Sequence, residues 1–184
     1  MFVIAKDVKL QVEFNPATVE AYRLIGYDTR RLENEDFNND LKDAGDIGAG
    51  HNVTVFYELV PAGAAETEGP GSVSVDPLKY SAQITTNSDD FMTVKIRYKA
   101  PDGDDSILME QVVGCDAIYE EISENFMFAS AVAEFGLIVT DSYYKANSSL
   151  SAIINRAGDG MGDDVYGLRA EFLDLVRAYR DIID

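Results

Sequence analysis

Asp36, Asn38 and Asp40 stand at alternating positions of an acidic stretch, the spacing by which a tight loop turns oxygen ligands onto one calcium ion. The full helix–loop–helix calcium pattern fails, because Leu41 replaces the required glycine and Ile47 stands where a bidentate glutamate belongs. Two readings follow: a solvated loop built from Asx turns, which is favoured, and a divalent-cation module on Asp36, Asn38 and Asp40. His51 is the single histidine, so a hydrolase would have to pair it with acids from the Asp36 to Asp46 stretch. It opens an apparent strand beside glycines, where an imidazole caps loop carbonyls, and that structural reading is preferred. Cys115 is the single cysteine, which excludes an intrachain disulfide and a cysteine-rich zinc cage. It reads as a small core residue. Gly45 to Gly50 has the outer glycine spacing of a phosphate loop, but His51-Asn52 replaces the Lys-Ser/Thr pair and Asp43 and Asp46 would repel phosphate. Those glycines serve the backbone instead. Asp102, Asp104 and Asp105 around Gly103 read as a turn, and Asp159, Asp163 and Asp164 as a helix-start cluster. No catalytic residue set and no cofactor emerges.

The elements that carry these residues fall into two stretches. Val8, Leu10, Val12 and Phe14 alternate with Lys9, Gln11 and Glu13, which predicts a half-buried strand with the lysine side in water. Asn15-Pro16 marks a turn, and further strands are expected over Val19 to Tyr27, Val53 to Leu59, Val94 to Tyr98 and, more weakly, Ile107 to Val113. Two long connections, Asp28 to Gly50 and Pro61 to Pro77, separate them, the second reading as a mobile excursion. After about Ala117 the period becomes helical. Helices are expected from Glu124 to Thr140 with Ser123 as N-cap, from Ser148 to Arg156, and from Asp164 to Ile183. The last carries a stripe of Val165, Leu168, Phe172, Val176, Tyr179 and Ile183, read as its own-core face. Strands followed by helices imply an α+β fold: an antiparallel β-sandwich-like layer over residues 1–116 and about three helices over 117–184, packed as one structural unit.

The chain has 184 residues, 46% of them hydrophobic, so it can bury a core. With 33 acidic against 15 basic residues its formal charge is −18, which argues against nucleic-acid and anionic-membrane partners. No basic-then-apolar leader opens the chain, and no apolar run reaches the roughly 20 residues of a membrane span. Met1 is followed at once by strand-like Phe2-Val3-Ile4, which suggests a start within a longer protein.

Several ordered runs carry a resemblance. They are Phe2 to Pro16, Tyr22 to Tyr27, Glu35 to Asn38 with Lys42 to Gly45, Ile47 to His51 leading into Val53-Thr54, Thr93 to Lys99, and Ala131 to Leu137. Together they resemble the region that follows the von Willebrand factor type A domain in bacterial YfbK-type lipoproteins. The resemblance implies a non-catalytic accessory or interaction domain in a lipid-anchored cell-envelope protein. Its implied partners are the type A domain of the same chain and a further protein partner. The type A metal loop D-x-S-x-S occurs nowhere in this sequence, so that metal is not carried over. In such a parent the first strand would pair with one from before the type A domain. Isolated, it would present an open edge and form a weak homodimer, against the repulsion of the net charge.

Overall fold

The computed structural model describes residues 2–27, 31–63, 89–118 and 121–183. Most of the Pro61 to Pro77 connection lies outside the described residues. The element order is β1 (Val3–Phe14), β2 (Val19–Ile25), β3 (Gly45–Gly48), β4 (Phe56–Pro61), β5 (Asp90–Lys99), β6 (Ser106–Gly114), α1 (Glu124–Val139), α2 (Leu150–Asp159) and α3 (Leu168–Ile183). The fold is α+β, strands first and helices after. Two compact units divide it, the first holding most of the strand residues through Ile118 and the second the helices.

Four strands form an antiparallel sheet in the order β3-β1-β5-β6. Leu10 lies opposite Ile96 and Phe14 opposite Met92, while Tyr98 faces Ile107 across the next ladder. The turn between β5 and β6 closes with Gly103 N–H donating to Ala100 O at 3.0 Å, as the Asp102 to Asp105 cluster predicts. Between Lys6 and Lys9 the register of β1 against β5 slips, and Asp7 there takes φ 50°. Such a bulge re-aims the side chains that follow it.

β2 pairs with β4 in a second, two-stranded sheet. Ala62 N–H donates to Thr18 O at 2.9 Å, Arg23 pairs with Glu58, and the Tyr27 hydroxyl donates to Thr54 O at 3.1 Å. One chain advances as the other retreats, so this pair is antiparallel too. Phe14 joins the sheets: its ring lies 4.7 Å from Tyr22, 5.3 Å from Tyr57 and 6.4 Å from Phe91, centroid to centroid. Offset and edge-to-face rings at such spacing add roughly 0.5–1.5 kcal/mol per pair beyond area burial. Asn15 makes the adjoining turn, its side chain accepting from Ala17 N–H and donating to Asp90 O at 2.7 Å.

Three expectations are corrected here. β1 is not an open edge, since β3 and β5 flank it, so the N-terminal strand offers no free ladder for self-association. β3 was hidden because Gly-Asp-Ile-Gly has weak strand propensity, and pairing with β1 overrides it. The fourth strand begins at Phe56, leaving Val53 exposed before it.

In the helical unit Ser123 Oγ accepts from Phe126 N–H at 3.2 Å, and Ser149 Oγ from Ala152 N–H at 3.2 Å, so a serine caps each of the first two helices. Asp164 caps the third with both carboxylate oxygens, accepting from Arg169 and Ala170 N–H at 3.0 Å each, and so α3 starts at Leu168 instead of Asp164. Those backbone bonds, the one to Arg169 first, hold the Asp164 carboxyl below its ordinary range. Ala131, Ile153, Ala157, Leu173 and Val176 form the core of this unit. Gly160, at the end of α2, passes so near α1 that a Cβ would meet Phe128 N at 2.6 Å and Glu124 O at 2.7 Å. Only glycine permits that approach. Val165, Leu168 and Ile183, assigned above to the buried stripe, are exposed; Val176 of that stripe is buried as expected, and Leu173 joins it inside.

Candidate functional site

The acidic stretch folds as a short 3-10 turn over Asn34–Asn38 followed by an Asx turn, in which the Asn39 side chain accepts from Leu41 N–H at 3.0 Å. Its central residue, Phe37, is only 5% exposed. The stretch lies on the face of the sheet that carries Lys9, Arg97 and Lys99. The expected sides are reversed in the middle of β1, where Lys9 is 3% exposed and Leu10 40% exposed, and hold at its end, where Phe14 is buried and Glu13 exposed. Lys9 Nζ donates to Asn39 O, which gives the covered ammonium a partner.

Protein cations engage a side-chain oxygen of Asp36 and of Asn38, and the main chain of Asp40. Asp36 Oδ2 lies 3.3 Å from Lys42 Nζ. Asn38 Oδ1 accepts from Arg97 Nη2 at 3.1 Å, and the backbone carbonyl of Asp40 accepts from Lys99 Nζ at 3.1 Å. The Arg97 guanidinium also stands 5.7 Å from the centre of the Phe37 ring and donates to Ser106 Oγ at 2.9 Å. Among the described residues no cluster of three or more His, Cys, Asp or Glu side chains is placed to hold a metal ion. A divalent ion arriving at Asp36 and Asn38 would have to compete with Lys42 and Arg97 for their side-chain oxygens.

Asp7, at the bulge, ties this arrangement to β3. Its Oδ2 lies 2.7 Å from Lys99 Nζ, its Oδ1 accepts from Ala44 N–H at 3.3 Å, and its own N–H donates to Asp46 Oδ1 at 3.2 Å. The hydrogen bond from Lys99, then that from Ala44, pulls the Asp7 carboxyl below its ordinary value, and Asp7 in turn raises Lys99. The charges here hold a loop to a sheet.

The remaining candidates do not converge. His51 is exposed, with Nδ1 3.3 Å from Ala49 O, to which it donates in the tautomer protonated there. Gly50 beside it takes φ 75°, the backbone use expected of these glycines. Cys115 is exposed instead of buried in the core. It borders an apolar cleft of about 470 Å³ between the two sheets, with Thr18, Val19, Leu59, Phe91 and Val113 among its other walls. The lining contains no histidine and no carboxylate, so no base is supplied to the thiol there. Tyr57 is pushed above its ordinary value chiefly by burial, in keeping with its place in the aromatic cluster. Sequence reasoning missed Lys9, Arg97 and Lys99 as loop anchors. The signal available was their alternation on facing strands opposite an unusually acidic connection.

No helix of the described residues is long and apolar enough to cross a membrane. A family model described as "Uncharacterized protein YfbK, C-terminal" matches residues 1–182. A curated relative, "Uncharacterized protein YfbK" of Escherichia coli (strain K12), is 39% identical over 188 residues, taking in 100% of this chain and 31% of that protein. The chain thus spans about a third of the length of the relative it matches. No solved structure matches the chain.

Proposed function

The chain belongs to the YfbK C-terminal family, and from that premise we propose that it is a non-catalytic accessory domain. In this reading it makes protein–protein contacts beside a von Willebrand factor type A domain in a bacterial cell-envelope protein. The observation that carries the reading is the use of the polar groups. Lys9, Lys42, Arg97 and Lys99 bind loop oxygens, Asp164 caps a helix, and Arg156 pairs with Glu134, all of them fold-holding roles. Catalysis asks for a nucleophile, a base and a charge-stabilising group around one cleft. The cleft that Cys115 borders is apolar, and His51 lies outside its lining. The part-length match to a longer relative, and the resemblance of the ordered runs to the region that follows a type A domain, support the placement beside a larger partner.

Thermal melting tests it. The part of E. coli YfbK outside the matched region is prepared separately and titrated into this chain. Binding to the folded state stabilises by about 2.7 kcal/mol at a partner concentration of 100 Kd, a rise of several degrees in Tm. An unchanged melt together with independent sedimentation of the two chains would overturn the proposal.

A further inference from the structure

α1 is apolar almost all round, broken by Glu124, Asn125, Ser130 and Glu134 within Glu124–Val139. A helix of that kind is covered on more than one side. Among the described residues of the helical unit, α2 and α3 cover one part of its surface. Phe128 and Phe135 on α1 meet Phe172 on α3 edge to face at 5.4 and 5.7 Å, and Phe135 meets Tyr179 at 5.5 Å. Ala131 belongs to the buried core with α2, and Glu134 pairs with Arg156 of α2.

Beyond this ladder of rings, on the side away from α2, both helices continue apolar. Val132 and Val139 follow Phe128 and Phe135 by one turn on α1 and are half-exposed. On α3, Leu168, Leu175 and Ile182 are 65%, 57% and 80% exposed. At about 100° per residue these three positions return to within about 40° of one line. They flank Phe172 and Tyr179 on the side opposite the buried Leu173 and Val176. The two helices therefore frame a groove with an aromatic floor and aliphatic walls, open along roughly 20 Å of α3 at 1.5 Å per residue.

The charge beside the groove selects the occupant. Glu171, Asp174 and Asp181 border the Leu168–Leu175–Ile182 line on its outer side, and the ion pairs of Asp174 with Arg177 and of Asp181 with Arg180 are exposed and weak. We propose that this groove receives an amphipathic helix whose apolar stripe is flanked by Lys or Arg, completing a four-helix bundle. A second copy of this chain would set acid against acid at the same rim. The inference rests on the reading of the chain as an interaction module but does not depend on the type A domain as the source of the helix. The groove therefore survives if the E. coli fragment fails to bind.

The probe is a fluorescein-labelled synthetic helix with leucines at heptad a and d positions and lysines elsewhere, read by anisotropy against the whole chain. A peptide of the same composition with the leucines scrambled is the control for charge attraction. We expect saturable binding of the amphipathic peptide alone, weakened about ten-fold, or about 1.4 kcal/mol, in Leu175→Asn. Asp174→Asn with Asp181→Asn should weaken it several-fold at low salt and little at high salt. Leu168→Asn repeats the test at a position outside the middle of the helix should Leu175→Asn lower the melting temperature. Equal binding of the scrambled peptide, unchanged binding in both leucine variants, or no binding at all would overturn the proposal. So would a dimer of the chain alone that Leu175→Asn dissociates, which would assign the groove to a second copy.

Discussion

Replacing Phe37 by alanine separates a packed loop from a solvated one. The ring is 5% exposed and sits under the Arg97 guanidinium at 5.7 Å. Burying a phenylalanine side chain stabilises by roughly 1.5–3 kcal/mol, and truncation to alanine in a core costs about 3–5 kcal/mol once the cavity is included. A loop relaxes into a cavity more readily than a helix or strand, which favours the lower end. Loss of the cation–π contact adds about 0.5–1 kcal/mol. Opposing this, water reaching Arg97 Nε, a buried donor with no hydrogen-bond partner among the described residues, would recover part of the loss. The sum is about 3 kcal/mol for the strand unit. Urea unfolding followed by far-UV circular dichroism measures it, since the chain has no tryptophan to report by fluorescence. The midpoint should fall with little change in slope, and Phe37→Leu should cost less than about 1.5 kcal/mol. A loss below about 1 kcal/mol for Phe37→Ala would refute the claim that this ring anchors the acidic loop to the sheet.

Other outcomes follow from the same contacts. Asp7→Asn should destabilise most in the neutral range. The Asp7 value lies below its ordinary 3.8, so its contribution is present above that and lost as pH falls through the folded value. The Lys99 value lies above 10.5, so its contribution is present below that and lost as pH rises through the folded value. Melting curves of wild type and Asp7→Asn should therefore converge at both extremes, and a constant gap would contradict the pairing. Ser149→Ala should cost about 1 kcal/mol by removing the cap of α2, measured by thermal melting. Millimolar calcium and chelator should give superimposable melts, because Lys42 and Arg97 engage side-chain oxygens of Asp36 and Asn38 and Lys99 holds the Asp40 carbonyl. A calcium-dependent rise that Asp36→Ala abolishes would establish the metal site instead.

The α+β class and the three helices could be read directly from the sequence, because they follow from periods that local geometry imposes on each segment. Period two in Val8 to Phe14 and a serine before an apolar helical run need no knowledge of distant residues. The runs that resemble the YfbK family were legible for a related reason: a match of ordered residues is a property of the chain alone. What tertiary structure decided was which face of each element meets another. Alternation separates Lys9 from Leu10 but does not say which side is covered. The Asn34–Asn38 turn settles that by bringing Phe37 and the Asn39 carbonyl over the lysine side. Gly45–Gly48 became a strand only because β1 offers it a ladder. On α3 the apolar arc is wider than α1 and α2 can cover, so the line of Leu168, Leu175 and Ile182 stays outside while Leu173 and Val176 go in. Burial is a relation between segments distant in sequence, and only the folded chain brings them together.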